Sequence, residues 1–452
     1  MNPPIDTEDI QALVFSGHGR FPKSLAMGFA AAEPAAARAG ALELVRNEIS
    51  FGLSRGKRAR AAQLLLSSAG VGALGGPAAL EGLDVAFREG MVAPQRDRAL
   101  GDAGRNDPLG WLWRDRDVHM MVLVYGADFG GVDSTARAIR QTLDKGWRQV
   151  SELPICSPKD RREPFGFRDG ITAPRVDLGD RNLREPGVDF LAPGEILLGQ
   201  RTAAGTVIPP PALGAGGSYV VVRQIEQDVE AFWKFWMGRA KNEDEAVWMA
   251  AKAVGRWPNG MPVGAGAPGH QPPARDEEIM RLMSFTPDQK GTGCPYGAHI
   301  RRANPRDTLE TDPQVSLAVV AQHRIIRRGR MYGSHAPAGV YPKGFGFPEL
   351  DDGDPLASSD RGLLFMCLCS DVTRQFEFIQ QTWLNNPQFA DRRDESDPIS
   401  PGDGIVADSR RFSIPDEPMR RRIHDLPHWT RVRAGGYFLM PGRASLERLL
   451  GS

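Results

Sequence analysis

Residues 294–307 read Cys294-Pro295-Tyr296-Gly297-Ala298-His299-Ile300-Arg301-Arg302-Ala303-Asn304-Pro305-Arg306-Asp307. One histidine, His299, stands between a Cys-Pro/Tyr-Gly turn and an Asn-Pro turn. Proline fixes one backbone dihedral and disfavours helix at the residue before it, so both ends of the segment are stiffened. A neutral imidazole presented in this way suits one axial bond to a metal that another group already holds, such as haem iron. The pattern also fits a histidine that only satisfies its hydrogen bonds in a half-buried loop.

The bulk composition excludes several classes of protein. Among 452 residues, Lys plus Arg and Asp plus Glu both number 56, so no net charge attracts nucleic acid or an anionic membrane. No apolar run approaches the roughly 20 residues of a membrane helix. The first residues lack a cationic flank followed by an apolar core, which predicts a cytoplasmic protein. The four cysteines fit neither a zinc spacing nor a disulfide framework. No feature of the sequence determines the oligomeric state.

Away from this segment, the chain shows two similar cycles of strand and helix patterns. The Gly/Pro/Ala-rich segment Arg201–Gly217 separates them as a candidate linker. Each half approximates strand, helix, strand, strand, helix, strand, which is the split βαβ order of ferredoxin-like modules with antiparallel sheets. The sequence therefore predicts an α+β protein with domains at 1–200 and 201–452. The clearest predicted elements are strands at Ile10–Phe15, Val118–Tyr125, Ser218–Ile225, His323–Arg328 and Gly362–Ser370, and helices at Asp228–Met237, Asp244–Val254 and Val372–Asn385.

The first candidate for chemistry outside the histidine segment is Gly166-Phe167-Arg168-Asp169-Gly170. Glycines on both sides of Asp169 let the backbone approach a flat ligand and leave the carboxylate uncovered. An ordinary Asp-Gly turn, whose carboxylate caps its own backbone, is the alternative interpretation.

A second candidate is the basic segment His323-Arg324-Ile325-Ile326-Arg327-Arg328-Gly329. Alternate residues of a strand share a face, so Arg327 and Arg328 point in opposite directions. One arginine could then enter a cavity while its neighbour remains solvated. A solvated basic edge strand is an equally good interpretation.

Together, His299, Asp169 and one arginine would supply the parts of a peroxidase. Heterolytic cleavage of the O–O bond requires a proton to move from the near oxygen to the far oxygen of hydrogen peroxide, and a carboxylate can carry it. A guanidinium is always charged and stabilises the separating negative charge. The axial imidazole donates electron density to iron, more strongly if its other N–H donates to a carboxylate.

The sequence resembles the dye-decolourising-type haem peroxidases over nearly its whole length. The Gly-x-x-Asp-Gly motif at 166–170 and the segment 294–307 match this family's distal and proximal regions. Three further stretches match in the same order along the chain: 87–91 followed by 100–102, 254–258, and 376–383. The length and the first residues resemble the longer, cytoplasmic bacterial branch.

The resemblance implies a role for individual residues on the peroxide side. Asp169 would be the distal acid–base residue. Arg327 matches the distal arginine, and Arg328 is the alternative because insertion of one residue would exchange them. Gly329 stands where some relatives carry a polar side chain, which leaves Asp169 and Arg327 to act through water.

On the other side, the resemblance implies that His299 is the axial ligand of the iron. Asp397 matches the acid that receives its N–H, with Asp371 as the alternative, although a position as a helix N-cap already explains Asp371. One haem b per chain is implied, held mainly by the second domain. The other implied cofactor contacts are Gly166, Gly170, Leu363 and Phe365.

The expected function is oxidation of bulky aromatic donors, such as phenols and anthraquinone-type dyes, with hydrogen peroxide. Electrons would reach a deeply buried iron from a surface Tyr or Trp, with Tyr332, Tyr341 and Trp383 as candidates. A haem carrier or iron-releasing protein is the alternative; it would need His299 but not Asp169 with Arg327. A haem-free α+β binding module is a third possibility. An acidic pH optimum is expected, because an aspartate with a reference pKa of about 3.9 stays ionised well below neutrality.

Overall fold

The structure is a computed structural model that describes residues 4–53, 59–172, 174–179, 188–264, 276–344, 355–403, 410–416 and 418–451. Its strands are β1 Lys23–Ala31, β2 Arg60–Ser67, β3 Met120–Gly126, β4 Trp147–Cys156, β5 Arg175–Val176, β6 Phe190–Leu191, β7 Ser218–Gln227, β8 Ile326–Arg327, β9 Arg330–Tyr332, β10 Gly362–Cys369, β11 Phe412–Ile414, β12 Arg421–Ile423 and β13 Thr430–Met440. Its α-helices are α1 Pro34–Asn47, α2 Ser68–Gly75, α3 Val85–Glu89, α4 Pro94–Leu100, α5 Phe129–Leu143, α6 Val229–Met237, α7 Glu243–Val254, α8 Asp276–Arg281, α9 His299–Ala303, α10 Pro313–Ala321 and α11 Arg443–Gly451.

The first sheet unit has the strand order β2-β3-β1-β4, and all its pairings are antiparallel. This is the ferredoxin-like order, with α1 following β1 and α5 following β3. Helix α1 begins at Pro34, where the missing N–H costs nothing, and Glu33 accepts a hydrogen bond from the N–H of Ala36. Its buried face, Ala37, Ala41, Leu44 and Val45, packs into the core shared with β1 and β2.

The second unit repeats this order as β13-β7-β10-β9, again antiparallel. Strand β10 (GLLFMCLC) is the central, largely buried strand that its apolar run predicts. Two pairings join the units: β13 with β2 at Phe438 and Ser67, and β4 with β9 at Cys156 and Met331. Together with the pairings inside each unit, these two contacts make the strands of both units one closed circuit. The predicted α+β class with ferredoxin-like antiparallel units is confirmed, whereas the boundary at residues 200 and 201 stays a prediction.

Most of the clearest predicted helices and strands agree with the structure, but the predictions for the first half of the chain contain errors. The strand predicted at Ile10–Phe15 is wrong, because this segment forms turns with a single bridge between Gln11 and Phe51. Strands β1 and β2 were missed. Their sequences, KSLAMGFAA and RAAQLLLS, are rich in Ala and Leu and contain none of the β-branched residues Val, Ile and Thr that favour strands. These residues are in strands because the sheet buries them, not because of local preference.

Two further differences concern the second half. The aromatic-studded helix predicted at Val372–Asn385 is mostly π-helical, over Thr373–Glu377 and Ile379–Leu384. Much of the predicted long loop from Gly255 to Ala298 lies outside the described residues. No helix within the described ranges is long and apolar enough to cross a membrane.

Candidate functional site

A large cavity lies between the loop that follows β4 and the helices and strands of the second unit. Its empty volume is about 1870 Å³ when the open solvent at its mouth is included. Most of the lining residues follow residue 201, and those before it come from the segment 163–174. The cavity therefore brings together the segment that carries the Gly-x-x-Asp-Gly motif and the segment that carries His299.

His299 is the first residue of the short helix α9 and lines the cavity. Its Nδ1 lies 3.0 and 3.1 Å from the two carboxylate oxygens of Asp397. This carboxylate is buried and also accepts the backbone N–H groups of Ile399 (2.9 Å) and Ser400 (2.7 Å). An N–H on Nδ1 that donates to Asp397 leaves Nε2 as the free nitrogen of the ring.

His299 and Asp397 stabilise each other's charged forms. Burial disfavours the charged forms of both groups, but the opposite charge and the shared hydrogen bond outweigh it. They raise the pKa of His299 and lower the pKa of Asp397. Helix α9 is fixed from behind by Arg302, which is buried and donates to the carbonyl oxygens of Trp383 (2.8 Å) and Asn386 (3.0 Å).

Asp169 lies in the loop after β4, held there by backbone hydrogen bonds. Its N–H donates to the carbonyl of Arg161 (2.8 Å), and the N–H of Arg168 donates to Pro258 (3.0 Å). Gly166 and Gly170 have φ values of 98° and 72°, in the region that favours glycine. Neither glycine lines the cavity, so their conformation shapes the loop that presents Asp169.

Arg327 meets Asp169 at the cavity wall. Its Nη2 donates to Asp169 Oδ1 over 2.8 Å. Both side chains line the cavity, and each is almost half exposed. Burial alone would raise the pKa of Asp169, but the charge of Arg327 and the N–H of Gly170 lower it. The sequence separates the two partners by 158 positions, and the fold brings them into contact.

The alternatives for both roles lie elsewhere. Arg328 points away from the cavity, and its guanidinium donates to the carbonyls of Leu13 (2.8 Å) and Val14 (2.9 Å). Asp371 accepts the N–H of Arg374 over 2.8 Å, as a helix cap does. Arg327 is therefore the arginine that lines the cavity, and Asp397 is the carboxylate that contacts the cavity-lining His299.

Strand β10 supplies apolar walls, because Leu363 and Phe365 share the face that lines the cavity. The expectation that Tyr332, Tyr341 or Trp383 lies at the surface is wrong, since all three are at most 5% exposed. Trp383 lines the cavity instead. Periodicity marks a residue as apolar or aromatic but does not reveal how deeply later loops cover it.

Sequence reasoning missed Arg306, although it lies in the first segment quoted. It lines the cavity with a left-handed backbone (φ 53°), and within the described part of the chain its guanidinium makes no hydrogen bond. Burial and the like charge of Arg324 lower its pKa to about 10, against the attraction of Asp189 and Asp307. The neighbouring Asn304 Oδ1 is also buried without a hydrogen-bond partner. A cation directly after an Asn-Pro turn was the available signal.

These residues fit a haem. The cavity is lined largely by apolar side chains, and an imidazole fixed through Nδ1 offers Nε2 to a metal. The unpaired guanidinium of Arg306 suits the carboxylates that a haem carries at its edge. His299 would hold the iron, while Leu363 and Phe365 would contact the ring.

Comparisons with known proteins agree with this fit. The family model described as "Dyp-type peroxidase, C-terminal" matches residues 200–396. "Peroxidase 2" of Mycetinis scorodonius is 28% identical over 421 residues, 86% of this chain and 76% of that protein. "Multifunctional dye peroxidase DyP2" of an Amycolatopsis species is 32% identical over 309 residues, 64% of this chain and 61% of that protein.

Solved structures show the same fold. A dye-decolorizing peroxidase in complex with 2,6-dimethoxyphenol superposes with a TM-score of 0.82 at 23% identity, over 99% of this chain and all of that chain. An ancestral D-type dye-decolorizing peroxidase gives a TM-score of 0.77 at 25% identity, with the same coverage. Fold and relatives together define a haem peroxidase. The chain belongs to the Dyp-type peroxidase family.

Proposed function

We propose that this protein uses hydrogen peroxide to oxidise bulky aromatic donors, including phenols and dyes, at the cavity described above. The relatives are named as dye-decolorizing peroxidases, which supports this donor class. The observation that carries the proposal is the pairing of charged groups at one cavity. Asp169 and Arg327 lie 2.8 Å apart on its wall, and His299 rests on Asp397 at 3.0 Å.

A haem held by His299 would supply the redox chemistry that couples reduction of the peroxide to oxidation of the donor. Asp169 takes a proton from one peroxide oxygen and returns it to the other as the O–O bond breaks heterolytically. Its lowered pKa keeps the carboxylate ready as a base. Arg327 stabilises the negative charge of the deprotonated peroxide and of the leaving oxygen. Asp397 orients the His299 ring and makes its Nε2 a stronger donor.

A visible spectrum of the purified protein tests this proposal. Reconstitution with haem should give a Soret band. One equivalent of hydrogen peroxide should change that band within seconds, and addition of a phenol or an anthraquinone dye should restore it while the donor is oxidised. A stable Soret band that peroxide leaves unchanged would contradict the proposal. That result would favour the alternative, a haem carrier or iron-releasing protein.

The cofactor is proposed to be haem b with one molecule per chain, since the described residues offer a single cavity of this kind with one imidazole placed on a buried carboxylate. A pyridine haemochrome spectrum and the ratio of haem to protein test the type and the amount. A cytoplasmic location is also proposed, and cell fractionation tests it.

A further inference from the structure

Glu163 is a partly buried carboxyl group that the mechanism above does not use. It precedes the Gly-x-x-Asp-Gly motif and lines the same cavity as Asp169. Its Oε2 accepts the N–H of Phe165 (3.1 Å), and its Oε1 accepts the N–H of Phe167 (3.0 Å). The Glu163 backbone also bonds to Phe167 and Gly166. One carboxyl group thus holds the turn that leads directly to Asp169.

Gln227, the last residue of β7, is the third partner. Its Nε2 donates to Glu163 Oε2 over 2.7 Å. Its Oε1 is buried and has no hydrogen-bond partner among the residues that the structure describes. A buried amide oxygen left unpaired is costly, which suggests that another arrangement uses it. If the amide turns over, Oε1 becomes an acceptor for a proton on Glu163. The pair can therefore satisfy both the charged and the neutral carboxyl group.

The surroundings of Glu163 include few other charges. Asp169 on the same loop interacts with it electrostatically. The phenol of Tyr341, which donates to the carbonyl of Pro164 over 2.8 Å, also feels its charge. Gln227 on β7 is neutral. Burial is the largest influence and raises the pKa of Glu163 to about 7, against the hydrogen bonds that lower it.

We propose that Glu163 and Gln227 form a proton-holding pair that sets the charge beside Asp169. With the proton on Glu163 the pair is neutral, and the carboxylate of Asp169 is the only negative group of this loop at the cavity. When the proton leaves, a second negative charge stands beside Asp169, raises its proton affinity and makes it a stronger base toward the peroxide. Glu163 is thus a positioning residue that acts through Asp169, and this role rests on the proposed function.

The kinetic test compares wild type with Glu163→Gln, which is permanently neutral. The rate constant for the reaction of the haem-loaded protein with peroxide is measured by stopped flow between about pH 5.5 and about pH 8, which brackets the Glu163 pKa. Asp169 stays ionised across this range because its pKa is lowered. The range ends below the Arg256 pKa of about 9. As the pH rises, the wild-type rate constant should increase by about tenfold, the effect of one unit in the pKa of Asp169, while that of E163Q should stay nearly constant.

A matched control is Glu195→Gln, the same change at a buried glutamate that pairs with Arg374 at 2.7 Å and does not line the cavity. This variant should keep the wild-type increase. An increase that persists in E163Q, or a wild-type rate constant that does not rise between about pH 5.5 and about pH 8, would overturn the proposal.

A second measurement needs no turnover. Infrared difference spectra of the haem-free protein should show a protonated carboxyl band that disappears as the pH rises through about 7, and this band should be missing from E163Q and present in E195Q. Gln227→Leu retains Glu163 but loses the donor that favours its charged form, so the midpoint should move to higher pH. If no band titrates near neutrality, the pair holds no proton and the proposal fails. Failure of the proposed function would instead appear as a titrating band in a protein that does not react with peroxide.

Discussion

The two walls of the cavity carry similar groups in opposite settings. On the histidine side, the Asp397 side chain is 0% exposed and accepts hydrogen bonds from His299 and two backbone N–H groups. On the other wall, Asp169 is 42% exposed and Arg327 is 45% exposed, with their surface turned into the cavity. Both carboxylates have a lowered pKa. One carboxylate is fully committed to protein partners, and the other retains surface for a ligand.

This difference assigns the two carboxylates different roles: Asp397 orients the His299 ring, and Asp169 is available to react with a ligand. A buried carboxylate with all its acceptors used can orient a ring, but it cannot exchange protons with a small molecule. A carboxylate that faces a cavity and is held ionised by one guanidinium can do so. Substitutions on the two walls should therefore affect different measurements: the reaction with peroxide on one side and the binding of haem on the other.

The largest effect on the reaction is expected for Asp169→Asn. The amide fills the same space but cannot accept the peroxide proton, so the rate constant with peroxide should fall by about 10²–10⁴-fold. The haem content and Soret band should stay as in wild type, because His299 and Asp397 are unchanged. Stopped-flow spectroscopy at equal haem loading measures the rate. A variant that reacts at the wild-type rate would remove Asp169 from the proposed mechanism.

A smaller effect, and of another kind, is expected for Asp397→Asn. The variant keeps the shape but loses the charge that orients the His299 ring, which should weaken haem binding or activity by about 10–100-fold. Haem transfer to an acceptor protein, followed by absorbance, measures the loss. Asp371→Asn is the control: it removes a carboxylate that caps Arg374 and should leave haem retention unchanged. Equal haem loss in both variants would contradict the assignment of Asp397.

The pH profile distinguishes the walls without any substitution. The pKa of Asp169 is lowered, so the ionised form is present above the ordinary aspartate value and is lost only as the pH falls below it. At about pH 5, more than roughly nine-tenths of an ordinary aspartate of pKa about 3.9 is already ionised. The reaction with peroxide should therefore persist down to about pH 5, and its rate constant should increase by about tenfold toward pH 8 if Glu163 acts as proposed. Loss of this reaction already at about pH 6, with the Soret band unchanged, would count against Asp169 as the proton acceptor.

Local patterns predicted these walls well where one short segment supplies the chemistry. The turns around His299, the glycines around Asp169 and the alternation of Arg327 with Arg328 were all readable from neighbouring residues. The partners of these residues could not be derived from such patterns, because 98 positions separate His299 from Asp397 and 158 separate Asp169 from Arg327. Those contacts depend on how the strands close into one circuit, and β1 and β2 gave no strand signal.

The choice between Arg327 and Arg328 shows this limit. Strand alternation predicts that the two point in opposite directions but not which one enters the cavity. The carbonyl groups of Leu13 and Val14 capture Arg328, and they belong to the segment wrongly predicted to be a strand. Because that segment forms turns, its carbonyls remain available to a guanidinium. Because residues 10–15 were predicted to be a strand, the sequence did not reveal that their carbonyl groups bind Arg328 and leave Arg327 to enter the cavity.

The smallest effect on the reaction with peroxide is therefore expected for Arg328→Leu. Its guanidinium is buried and donates to Leu13 and Val14, so the variant leaves two carbonyl groups without their donor. The free energy of unfolding should fall by about 1–3 kcal/mol, while the rate constant with peroxide stays within about twofold of wild type. Arg327→Leu should show the reverse, a slow reaction with peroxide and nearly unchanged stability, because its side chain is 45% exposed and pairs with an equally exposed carboxylate. Urea unfolding of the two variants, with stopped-flow rates on the same samples, measures both quantities. If Arg328→Leu slowed the reaction while Arg327→Leu did not, the two arginines would have to exchange roles. Arg327 would then not be the cation that assists Asp169 on the reactive wall.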